Sequence, residues 1–83
     1  DKLQLELEMD NNKRLMTIAE EDLAIAQRES ERVEELFRLK SASASQLDQA
    51  NSTVMKGRNA LEQLANVQRL ADQRRARLQV QLD

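Results

Sequence analysis

Carboxylates are the most abundant reactive groups in this chain, and they come in runs such as Glu20-Glu21-Asp22 and Glu34-Glu35. General acid–base work by a carboxylate needs a shifted pKa, and that shift needs a concave, partly apolar wall. Both runs fall within helical periodicity and read as solvated faces. With no His and no Cys, the commonest transition-metal ligands, the commonest general base and thiol chemistry are all missing. No cofactor, no metal and no enzymatic activity are expected. What remains is hydrogen-bonding chemistry. Ser43 is followed by Gln46, a capping box in which the serine hydroxyl accepts from the Gln46 N–H and the glutamine side chain reaches back to the Ser43 N–H.

A capping box must open a helix, so a second helix starts near Ser43. The 83 residues support this: 34% are charged, there is one aromatic, one Gly and no Pro, and Ala, Glu, Leu, Arg and Gln dominate. That is the composition of long helix or coiled coil. A net charge of −2 weighs against nucleic acid as a partner, because phosphate binding needs a basic surface. No run of about twenty apolar residues is present, so no insertion into a membrane by this segment is expected. The chain starts at Asp1, which suggests a piece of a longer polypeptide.

In the first arm Leu5, Met9, Asn12, Met16, Ala19, Leu23, Ala26, Ser30, Val33 and Phe37 alternate in steps of four and three, a heptad seam. The second arm repeats the pattern in a shifted phase through Leu47, Ala50, Val54, Gly57, Leu61, Leu64, Gln68, Ala71, Arg75, Leu78 and Leu82. The predicted fold is all-α, an antiparallel two-helix coiled-coil hairpin: arm one over about 2–39, a turn near 40–43, and arm two over about 44–82. Folding back pairs Phe37 with Leu47, Ala26 with Gly57, Met9 with Arg75 and Leu5 with Leu78. Gly57 opposite Ala26 predicts the closest approach of the two backbones, compensating roughly 1 kcal/mol of lost helix propensity. Residues 1–40 carry net −4 and residues 41–83 net +2, which places Glu6, Glu8 and Asp10 beside Arg74, Arg75 and Arg77. Each arm should be about 50–55 Å long at 1.5 Å per residue, with both chain ends together far from the turn, as suits an insertion into a larger host. Met9 and Met16 read as core filler. Asn12, Ser30, Gln68 and Arg75 interrupt the seam; they fix its register, or they keep the stem thin or contact a neighbouring hairpin.

At the turn, Arg32, Leu36 and Ser43 form Arg-x3-Leu-x6-Ser, followed by Gln46-Leu47-Asp48-Gln49-Ala50. This resembles the α-hairpin of periplasmic adaptors, or membrane fusion proteins, of the AcrA, MacA and HlyD type. The resemblance covers the whole chain in architecture and specific residues across 32–50. In that family these three residues sit at the hairpin tip and contact the periplasmic end of a TolC-type outer-membrane channel. The resemblance therefore implies partner-binding roles for Arg32, Leu36 and Ser43. It also implies a periplasmic location, neighbouring adaptor hairpins in a ring, and an inner-membrane transporter engaged by the rest of the parent protein, in tripartite efflux or type I secretion. Where the family often has Gly and an apolar residue before the Ser, this chain has Lys40, Ser41 and Ala42. A helix that ends without Gly needs another way into its turn.

Each motif residue also has a purely structural role open to it. Ser43 caps its helix with or without a partner. Leu36 lies next to the seam and can cover Phe37 and Leu47. Arg32 can pair with Glu29 or Glu35 along its own helix, which would commit it away from docking. The alternative class is a structural coiled-coil stalk or dimerisation arm without a channel partner.

Overall fold

The computed structural model describes the backbone of residues 2–82 and the side chains of residues 2–80. The chain forms two helices, α1 (Lys2–Arg38) and α2 (Ala44–Leu82), packed antiparallel along their length as a hairpin with extents of 64 × 15 × 13 Å. Helices of 37 and 39 residues are about 55–58 Å long at 1.5 Å per residue, so the stem is slightly longer than expected. None of the described helical segments is long and apolar enough to cross a membrane.

Burial follows the heptad seam closely. From Leu5 to Val33, and again from Leu47 to Ala71, every expected seam residue is buried or half-buried. The seam is thin: among the described residues only Leu5, Met9, Asn12 and Val54 are buried. Two seam expectations fail. Phe37 is 41% exposed, and Leu36 is covered in its place. Phe37 sits in the last turn of α1, where only the first turn of α2 can face it, whereas Leu36 lies on the flank it shares with Val33, Ser41, Ala42 and Gln46. Arg75 is exposed as well, since a guanidinium buried without an acceptor would lose its hydration uncompensated. Leu82 lies outside the described side chains.

Asn12 shows how a polar residue is tolerated in the seam. Its amide nitrogen donates to the Leu64 carbonyl and to Gln68 Oε1, both at 3.1 Å. The Gln68 amide in turn donates to Asp72 Oδ1 at 3.2 Å. Burying the amide elsewhere on α2 would leave it unsatisfied, at a cost of about 1–3 kcal/mol. The bonds therefore fix the register. At Gly57 the expected partner is corrected: the atoms nearest to an added Cβ all belong to Leu23, with Cδ1 at 3.3 Å, and not to Ala26. The expected ion pairs between the arms do not form either. Among the described residues both salt bridges lie within α1, Glu29–Arg32 and Glu35–Arg38. Exposed charges gain too little from pairing, about 0–1 kcal/mol, to hold long side chains in place.

Candidate functional site

The turn is built from two hydrogen-bonded caps set end to end. The last turn of α1 closes with the Ser41 N–H donating to the Leu36 carbonyl at 2.7 Å and the Lys40 N–H donating to the Phe37 carbonyl at 3.0 Å. This is a Schellman cap, which requires a left-handed residue just past the helix end. Lys40 fills that place with φ of 62°. Here is the way into the turn without glycine: a lysine held in a conformation that strains an L-residue by about 1–2 kcal/mol. On the other side the capping box forms as its spacing predicts. The Gln46 N–H donates to Ser43 Oγ at 3.1 Å, and the Ser43 N–H donates to Gln46 Oε1 at 2.7 Å. The Ser43 carbonyl accepts the first helical bond of α2, from the Leu47 N–H.

Between the caps a shallow groove of about 380 Å³ opens on one flank of the tip. Leu36 and Arg32 line its α1 wall, Gln46, Gln49 and Thr53 its α2 wall, and Ser41 and Ala42 its upper end. Of the three motif residues, Leu36 and Arg32 thus share one surface. Ser43 does not line the groove; it stands in the turn, exposed, with its hydroxyl taken up by the Gln46 N–H. The α2 wall is the part that motif reading missed. Gln46, Gln49 and Thr53 follow one another at steps of three and four beside the seam, the spacing of a flanking row, and that signal was present.

Arg32 is engaged along its own helix. Its Nε and Nη2 donate to the two carboxylate oxygens of Glu29 at 3.1 and 2.6 Å. The hydrogen bond from Arg32 holds the Glu29 carboxyl below the usual glutamate range, and Glu29 raises Arg32 in return. The two side chains are 64% and 51% exposed, so water competes for both and the pair is easily exchanged for another partner. Leu36 combines two functions: its carbonyl anchors the Schellman cap while its side chain, half-buried, forms the groove wall. Chemically, the site offers an apolar contact, a guanidinium and two primary amides on a stiff backbone. No protein-family model matches this sequence, no curated protein matches it, and no solved structure matches its fold.

Proposed function

We propose that the hairpin is the docking arm of a periplasmic adaptor, with its tip packing against the periplasmic helical end of a TolC-type outer-membrane channel in tripartite efflux or type I secretion. The observation that carries this reading is the double use of Leu36. Its main chain belongs to the cap and its side chain to an open groove beside Arg32, so a rigid tip presents an apolar contact with a hydrogen-bonding group next to it. Leu36 would pack against an apolar side chain of the channel, and Arg32 would exchange Glu29 for an acidic or carbonyl acceptor there. Ser43 holds the second helix in place and stands next to the contact. One tip is small, so a single contact is weak; affinity comes from several hairpins acting together in a ring. The inner-membrane transporter would be engaged elsewhere in the parent protein.

One observation favours the competing reading, a coiled-coil stalk without a channel partner: Arg32 already has an acceptor in Glu29. The two readings separate with Leu36→Ser. The docking reading expects loss of export by the parent protein with helix content unchanged, because the Leu36 carbonyl bond to Ser41 survives the substitution. Export at the unsubstituted level would contradict it.

A further inference from the structure

Three cations stand in the tip, Arg32, Arg38 and Lys40. Two of them are already answered along α1, Arg32 by Glu29 and Arg38 by Glu35. Lys40 is exposed, and among the described residues its side chain has neither an ion pair nor a hydrogen bond. Leu39, next to it, is 65% exposed. The apex between the two caps thus presents a free ammonium beside an uncovered leucine.

The backbone makes the choice of lysine here informative. Among the described residues, Lys40 is the one non-glycine position with a positive φ. The Schellman cap needs a left-handed residue there, and glycine supplies one without strain. Asparagine and aspartate can hydrogen-bond locally in that conformation, which lysine cannot. Nor does the helix dipole call for lysine at this position. A cation in the last turn of α1 complements the dipole from ordinary helical backbone, and Arg38 already stands there. Nothing inside the hairpin offsets the strain at Lys40, and strain of this kind gathers at functional positions.

We propose that Lys40 is the charge-reading residue of the tip, its ammonium meeting a carboxylate of the docking partner while Leu39 covers an apolar spot beside it. An ammonium is a compact, strongly hydrated charge, so its desolvation at an interface is offset by a full opposite charge. The acceptor is therefore an aspartate or glutamate of the partner. Arg32 must leave Glu29 before it can bond elsewhere; Lys40 gives up only water. This assignment rests on the docking reading and names the chemistry of its partner.

Capture of the channel by a photo-crosslinker at Ser43 of the parent protein, with export measured in parallel, tests it. Lys40→Gln removes the charge and keeps a strained side chain, whereas Lys40→Arg keeps both. Capture should fall roughly threefold or more in Lys40→Gln, fall further in Lys40→Glu, and hold its level in Lys40→Arg. Lys40→Gly should also lower capture, although it raises the thermal midpoint of the chain, a split that a purely structural lysine would not give. Leu36→Ser separates this proposal from docking itself. Capture lost in Leu36→Ser but unchanged in Lys40→Gln would leave docking standing and remove Lys40 from it. Capture unchanged in Leu36→Ser would overturn both together, and equal losses in Lys40→Gln and Lys40→Arg would overturn the carboxylate acceptor.

Discussion

At the open end of the hairpin, Leu5, Met9 and Asn12 are 4–8% exposed, and the polar member of the group is bonded across to α2. At the tip, Phe37 and Leu39 are 41% and 65% exposed, and the chain is held by backbone and capping hydrogen bonds. One end is stabilised by burial, with a single side-chain amide bonded across to the α2 backbone. The other is stabilised by its backbone and leaves apolar side chains uncovered. The contrast shows how a two-helix hairpin can keep a stiff end without consuming the side chains there. Caps fix the turn from within, so packing is not needed to hold it, and the side chains remain for something else.

The sharpest way to break this contrast is to delete packing at each end. Met9→Ala should destabilise by about 2 kcal/mol, the lower limit for such truncations because a thin stem relaxes, whereas Phe37→Ala should lower stability by less than about 1 kcal/mol. Urea denaturation followed by helical ellipticity checks both, and equal losses would erase the distinction. Next comes the cap. Ser43→Ala should lower stability by about 1 kcal/mol and Ser43→Asn by only a few tenths, since asparagine can cap equally well. Lys40→Gly should move the other way, raising stability by about 0.5–1 kcal/mol as left-handed strain is relieved, less the extra freedom of the unfolded chain. In mid-stem, Gly57→Ala should raise the thermal midpoint slightly. Gain in helix propensity of up to about 1 kcal/mol is set against a contact with Leu23 Cδ1 at 3.3 Å, and that methyl is the free end of a half-buried side chain. A lower midpoint would mean that Leu23 cannot give way.

The smallest effect concerns pH. Because Arg32 lowers the Glu29 pKa, the pair contributes at pH values above the ordinary glutamate range and its contribution is lost as pH falls through the lowered value. A difference in melting between the chain and Glu29→Gln should therefore be present at neutral pH and vanish in acid. A difference that grows on acidification would reverse the sign.

Much of this was legible in the residue pattern. The heptads place the seam, Ser43 and Gln46 announce the start of α2, and the phase shift between the arms requires a turn. What escaped has physical causes. Heptad spacing cannot tell that a seam position in a final helical turn lacks a facing turn, so Phe37 was assigned to the core and Leu36 beside it. It also treats Arg75 as a seam position, although an unpaired charge leaves the seam. Charge complementarity between the arms suggested ion pairs that water and side-chain entropy do not favour. Lys40 at positive φ is unreadable from sequence because lysine carries no preference for it; only the Schellman bonds from the Lys40 and Ser41 N–H groups back to α1 demand it. At the tip, the motif pointed to Arg32 and Leu36 but not to the glutamines opposite them, which become a wall only once α2 is folded back.

What the tip touches decides between a docking arm and a structural stalk. Photo-crosslinkers placed at Ser43 in the tip and at Gln63 in mid-stem, in the parent protein within the cell envelope, test this most directly. Docking predicts that Ser43 captures an outer-membrane channel and that Gln63, exposed in mid-stem, does not. A tip that captures only copies of itself, or nothing, would contradict docking and leave Ser43 as a helix cap on a structural stalk.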